Sequence, residues 1–180
     1  MRVFYLIATI VLLTSCNPDK NRIVNRNEPK FKTTDASRLF FKNVRLLYYD
    51  LEEKNEGKIQ VLKLGRRIED STEAIINVYI INNWFQDRAY PMISLSPYFN
   101  DIDTLNIEML KEDGSTELLE FNKTSSMNEQ FYFASAIYEG LLRKYSFKLL
   151  NEDKALFTNS DQREAFRITM VDFYRLVGIY

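Results

Sequence analysis

The sequence predicts a mainly β fold, an antiparallel β-sandwich with one amphipathic helix near residues 127–143. Short segments rich in β-branched and aromatic residues recur along the chain at sandwich-like spacing, and one segment has clear helical periodicity. Aromatic residues make up 14% of the chain, against 5 Gly and 4 Pro, a composition typical of a packed domain. An immunoglobulin-like arrangement is one form that such a sandwich takes.

The first half of the domain contains three predicted strands. Residues 38–53, RLFFKNVRLLYYDLEE, are dense in Phe, Tyr, Leu and Val and favour a long strand, with an N-terminal helix as the alternative. Residues 58–65, KIQVLKLG, alternate in the manner of a strand. Residues 73–82, EAIINVYIIN, are apolar on both faces, which predicts a strand in the centre of a sheet.

An edge strand and a hairpin follow. The strand over 90–95 contains Pro91, which lacks the N–H that an inner strand donates. The hairpin spans residues 104–121, with Asp113 and Gly114 as its turn signal.

The segment around 127–143 changes period, because its apolar residues recur every three or four positions. Ser126 followed by Glu129 resembles a capping box at its start. A strand at 145–150 comes next. The C-terminal segment 161–177 fits either a helix or a strand, and its β-branched residues favour the strand.

The N-terminus has the pattern of an export signal. One arginine precedes an apolar run over 3–13, which is shorter than the roughly 20 residues that a membrane span needs. Residues 13–16, LTSC, resemble the lipobox of bacterial lipoproteins, which implies cleavage before Cys16 and attachment of diacylglycerol and a fatty acyl chain such as palmitate. Several acyl chains anchor a protein durably.

This resemblance divides the chain into three parts: a signal peptide over 1–15, a lipid anchor with a flexible tether over 16–36, and a single β-sandwich-like domain over 37–180. The polar, proline-containing composition after Cys16 favours the tether. The outer membrane is the expected location, with its periplasmic and cell-surface faces both open.

Composition excludes several classes of function. Histidine is absent and Cys16 is the single cysteine, which removes Ser-His-Asp and Cys-His catalysis, His-bearing metal sites and disulfides. Removing residues 1–15, with their one arginine, changes the net charge from −1 to −2, so no nucleic-acid partner is expected. We predict no catalytic residue, no metal ligand and no cofactor.

Two further resemblances concern the envelope. Residues 38–50 and 161–178 resemble the opening and closing segments of small uncharacterised lipoproteins of the Bacteroidota type, a family that adds no functional site. Ser71 and Thr104 each follow an aspartate, in a pattern that resembles the O-glycosylation acceptor sequence of such bacteria. We therefore predict possible O-glycosylation at these two residues, provided that they lie in exposed loops.

Trp84 and Tyr98 are the candidate ligand-binding residues, because neighbouring aromatic side chains form platforms for sugars. Core packing is the favoured alternative for Trp84, which shares its even-numbered face with Ile76, Val78 and Ile80.

The functional expectation is a lipid-anchored, non-catalytic accessory or interaction module of the outer membrane. It would contact the membrane through Cys16 and an envelope protein through an exposed apolar patch. The alternative is a glycan-binding or carboxylate-based glycan-cleaving surface lipoprotein.

Overall fold

A computed structural model of the chain describes residues 22–54, 58–150, 152 and 154–180. The predicted signal peptide, the lipidation site Cys16 and the first part of the predicted tether lie outside these residues. Within them, eight strands form two four-stranded antiparallel sheets, which confirms the predicted sandwich class. The immunoglobulin-like arrangement is not confirmed.

The first sheet is a meander whose strands are neighbours in sequence order. They are β1 (Tyr49–Lys54), β2 (Ile59–Leu64), β3 (Ile76–Asn83) and β4 (Arg88–Leu95). The strand predicted to be central is the inner strand β3, and its Ile76 and Ile80 side chains are fully buried. Pro91 lies in the edge strand β4, as predicted.

The second sheet contains the predicted hairpin. Its strands are β5 (Thr104–Leu110), β6 (Thr116–Asn122), β7 (Ser146–Leu149) and β8 (Ala155–Leu156), in the order β6-β5-β7-β8. Gly114 adopts a φ of +80° in the turn, and its N–H donates to the Lys111 carbonyl. The Asp113-Gly114 turn signal therefore fixes the pairing of β5 with β6.

The strand predicted over 38–53 is correct only from Tyr49 onward, in β1, because a helical segment occupies the chain as far as Tyr48. Thr34 starts it with a capping box, in which Thr34 and Ser37 bond reciprocally through side chain and backbone. We call residues 35–48 the N-terminal helix; it consists of α1 (Asp35–Phe40), a π-helical turn (Phe41–Arg45) and a 3₁₀ turn (Leu46–Tyr48).

Helix α2 (Met127–Leu142) confirms the predicted helix and its Ser126–Glu129 capping box. It is buried along most of its length and contacts β4 of one sheet and β6 of the other. A Cβ atom at Gly140 would lie 2.5 Å from both Met109 Sδ and Phe147 Cζ. Glycine is therefore what lets α2 approach the second sheet closely.

Helix α3 (Ser160–Leu176) replaces the strand favoured for the C-terminal segment, which was wrong. The Asn159 side chain begins the helix by accepting from the backbone N–H groups of Asp161 and Gln162. Thr169 is accommodated because its hydroxyl donates to the Ala165 carbonyl. Burial of one apolar face against the first sheet and α2 outweighs the weak preference of β-branched residues for strands.

Residues 22–34, which the sequence assigned to the tether, lie against the domain. The N–H of Thr33 donates to the Asp87 carbonyl, and the Phe31 carbonyl accepts from the N–H of Ala89, both at 2.8 Å. Further along, the Arg26 guanidinium donates to the Glu117 carboxylate at 2.7 Å. This segment and α2 together cover the free edge of β4.

Stability should depend on pH through Glu117. Burial alone would raise the pKa of its carboxyl, but hydrogen bonds and charge from Arg26 and Lys111 bring that pKa below the ordinary value of 4.5. We expect Glu117→Gln to lower the free energy of unfolding by about 1 kcal/mol at pH 7. Because the folded-state pKa is the lower one, this difference persists above pH 4.5 and disappears as the pH falls through the folded-state value.

Urea unfolding at a series of pH values measures the effect, with Glu120→Gln on the exposed face of the same strand as the control. A constant difference between wild type and Glu117→Gln down to pH 3 would contradict the prediction.

Candidate functional site

A buried ion pair joins α3 to the beginning of the first sheet. Both carboxylate oxygens of Asp172, whose side chain is 2% exposed, accept from Arg45 at 2.8–2.9 Å. The Tyr49 hydroxyl donates to the same carboxylate at 2.8 Å. Burial, followed by the charge of Asp172, raises the pKa of Tyr49 well above its ordinary value. The Tyr49 phenol of this network is therefore neutral at neutral pH.

This network is suited to holding structure and not to acid–base chemistry. Its carboxylate is bonded to a guanidinium and a phenol and is closed to solvent. A general acid needs a raised pKa at neutral pH. Among the described residues, every carboxyl group whose pKa departs from the ordinary value departs downward: Glu52, Asp70, Asp113, Glu117 and Glu129. None of these five residues is therefore a candidate general acid for glycan cleavage.

The outer face of the N-terminal helix carries large apolar side chains in contact with solvent. Phe40, Val44 and Leu47 follow the i, i+4, i+7 spacing of one helix face. The inner face buries Phe41 and directs Arg45 toward Asp172. We define the apolar helix surface as the exposed residues Leu39, Phe40, Val44, Leu47 and Tyr48, of which Leu47 is the most exposed at 71%.

Trp84 lies beside this helix and not in the core, so the favoured core position was wrong. Its indole is 48% exposed, and the neighbouring Phe85 is 70% exposed. The alternation of side chains between the two faces of β3 ends at Asn83, because the chain turns into a 3₁₀ helix over Trp84–Gln86. The Arg38 side chain donates to the Trp84 carbonyl at 3.2 Å and joins this corner to the N-terminal helix.

Tyr98 is far from Trp84, because Trp84 precedes the first residue of β4 and Tyr98 follows its last residue. The Tyr98 ring stacks edge-on against Phe99, and the Lys154 ammonium lies 4.1 Å from its centre. The Tyr98 hydroxyl donates to Glu152, and this hydrogen bond raises its pKa. One platform containing both predicted residues is therefore excluded, while ligand binding at either one stays a prediction.

The two predicted O-glycosylation residues occupy different settings. Ser71 is exposed in the loop between β2 and β3, at a groove of about 420 Å³ on the outer face of the first sheet. Thr104 is half-buried at the start of β5, and its hydroxyl accepts from the Asn122 amide at 3.4 Å. Ser71 meets the condition of an exposed loop, and modification at both residues stays a prediction.

Within the described residues, no group of three or more Asp, Glu, His or Cys side chains is arranged to hold a metal ion. Across the same part of the chain, no helix has the length and hydropathy to cross a membrane. No family model, curated protein or solved structure matches this chain.

Sequence reasoning missed two features for different reasons. The apolar helix surface had a local signal, since Thr34 and Ser37 cap a run with helical spacing, but strand composition was given more weight. The Arg45–Asp172 pair had no local signal, because its partners lie 127 positions apart.

Asp172→Asn should be strongly destabilising, since it leaves the Arg45 guanidinium without its buried counter-charge. We expect the free energy of unfolding to fall by about 3 kcal/mol, and by about 1.5 kcal/mol for Tyr49→Phe, which removes one hydrogen bond to a charged group. Urea unfolding at pH 7 measures both. Asp161→Asn, at the exposed first turn of the same helix, is the matched control, with an expected loss of about 0.5 kcal/mol. Equal losses for the two aspartate variants would be inconsistent with this role.

Proposed function

We propose that this protein is a lipid-anchored envelope protein of the outer membrane that acts as a non-catalytic interaction module. Its domain binds another envelope protein through the apolar helix surface. The anchor is Cys16, and the LTSC pattern supports it. The recognition surface is the outer face of the N-terminal helix.

The exposure of this helix face is the observation that carries the proposal. Its largest side chains are between 44% and 71% exposed, and they are adjacent along one helix. Monomeric soluble proteins rarely expose contiguous apolar surface of more than a few hundred Å² outside an interaction site. Burial of one such half-exposed side chain in an interface contributes about 1 kcal/mol.

The shape of this surface favours a protein partner with an apolar groove. An amphipathic helix that presents residues at i, i+4 and i+7 is a recurrent recognition element for grooves of that kind. The Asp172 ion pair holds the C-terminal end of the helix, so that the surface is formed before the partner arrives. Preorganisation of this kind lowers the entropic cost of binding.

Partner capture with a charged surface variant tests the proposal. Tagged protein is crosslinked in intact cells, extracted in detergent and affinity-captured, and the co-purifying proteins are quantified by mass spectrometry. We expect Phe40→Asp combined with Leu47→Asp to reduce a stoichiometric partner at least about tenfold, since the change removes two apolar contacts and buries charge.

Two controls make the result specific. Leu118→Asp alters an exposed leucine on β6, away from the N-terminal helix, and should leave capture unchanged. Cys16→Ser should remove the protein from the membrane fraction without altering its folding, which separates the anchor from the surface. Equal capture by wild type and the charged helix variant would refute the proposed surface.

Glycan binding at the Trp84–Phe85 corner is the second candidate function. Both aromatic side chains are substantially exposed, and Lys58 Nζ lies 6.0 Å from the centre of the Phe85 ring. Exposed aromatic faces stack on sugar rings through their apolar surface. This observation supports binding and not cleavage.

Intrinsic fluorescence tests the second candidate directly, because Trp84 is the single tryptophan. If a glycan stacks on this corner, emission should shift to the blue and saturate as oligosaccharide is added, and Phe85→Ala should weaken the response. Tyr98→Ala, beyond the opposite end of β4, should leave it unchanged. Constant emission across envelope and dietary oligosaccharides would rule out this site.

A further inference from the structure

Two adjoining cavities form a continuous cleft along the outer face of α3. The smaller cavity, of about 240 Å³, and the larger one, of about 500 Å³, share Arg45 and Ile168 in their walls. The cleft runs between α3 and the connection from the N-terminal helix to the first sheet. We call it the arginine cleft, after the four guanidinium groups that line it: Arg45, Arg66, Arg167 and Arg175.

The arginine cleft is positively charged on a protein whose overall charge is −1. Its walls contain four arginines and two carboxylates, Glu164 and Asp172. Asp172 is buried and fully engaged by Arg45 and Tyr49, so that it does not compete for a ligand. Glu164 is therefore the one carboxylate of the cleft that a ligand would displace.

Glu164 marks where an external anion would be held. Its carboxylate pairs with Arg167, lies 4.0 Å from Arg66 and is 43% exposed. An anionic group is thus already placed between two guanidinium groups, at a position from which a flexible side chain can rotate into solvent. Guanidinium groups match the planar geometry of carboxylates and the oxygens of phosphates.

The larger cavity adds an apolar wall next to these charges. Tyr48, Leu64 and Ile168 line it, together with the Arg66 stem. Ile168 is partly exposed and packs against the core, whereas Leu64 is 2% exposed and lies beneath this wall. A ligand that contacts both the charged and the apolar part of the cleft has an anionic head group and an apolar chain.

We propose that the arginine cleft binds an amphiphilic anion, a phosphate or carboxylate attached to an apolar chain. Arg66 and Arg167 hold the head group after Glu164 moves aside. The apolar chain lies on Tyr48 and Ile168. The cleft shares Tyr48 with the apolar helix surface, but Arg66 and Arg167 lie outside that surface, so that charge variants at these two arginines test the cleft separately.

Isothermal titration of the full chain with monohexyl phosphate tests the site. We expect saturable binding that weakens as the NaCl concentration rises, because the head group is held by charge. Inorganic phosphate has only the anionic head and 1-hexanol has only the apolar chain, so each should bind much more weakly. Equal binding of inorganic phosphate and monohexyl phosphate would overturn the amphiphilic part of the proposal.

Charge variants of the cleft should change the affinity for monohexyl phosphate in opposite directions. Arg66→Gln combined with Arg167→Gln should weaken binding at least about tenfold, whereas Glu164→Gln should strengthen it about three- to fivefold, since it removes the internal competitor. Arg143→Gln, in an exposed pair with Glu139 on α2, is the matched control and should have no effect. An unchanged affinity in Glu164→Gln and in the arginine double variant would overturn the proposal, and the gain expected for Glu164→Gln cannot arise from misfolding.

Vesicle competition identifies the source of the ligand. If phosphatidylglycerol vesicles displace monohexyl phosphate and phosphatidylcholine vesicles do not, the head group belongs to a lipid. If neither displaces it while monohexyl phosphate binds, the ligand is a soluble amphiphile. Failure of both monohexyl phosphate and phosphatidylglycerol vesicles to bind would overturn the site.

Discussion

The buried ion pair between Arg45 and Asp172 is the interaction on which the two proposed binding surfaces of this protein depend. A carboxylate removed from water is costly unless donors surround it, and here Arg45 and Tyr49 supply them. These three residues belong to the N-terminal helix, β1 and α3. A single charged contact therefore fixes how the first helical segment enters the sheet and lies against the last helix.

Two surfaces follow from that constraint. Because Phe41 and Arg45 face inward, the neighbouring helical positions Phe40, Val44 and Leu47 face solvent. The π-helical turn over Phe41–Arg45 keeps both inward residues on the domain side. The same Arg45 forms part of the wall of the arginine cleft, so that the apolar surface and the charged cleft meet at the end of the N-terminal helix.

The rest of the fold depends on α2, which lies in the common core of both sheets. Its close approach requires Gly140, and its Ser135 hydroxyl accepts a hydrogen bond at 3.0 Å from the buried Tyr174 hydroxyl of α3. Burial raises the pKa of Tyr174, which keeps this phenol neutral. With aromatic rings packed edge to face around Phe131, the domain obtains its stability from packing.

The sequence by itself determined the features that depend on local chemistry. The Asp113-Gly114 turn, the Ser126 cap of α2 and the edge position of Pro91 all follow from residues within a few positions of one another. The favoured strand was wrong for residues 38–48 and 161–176, because apolar and β-branched side chains suit strands as well as buried helix faces. Tertiary structure decided between helix and strand in these two segments. It alone decided the exposure of Trp84 and the Arg45–Asp172 pair, because burial and charge pairing join residues that are distant in the chain, and no local pattern encodes such contacts.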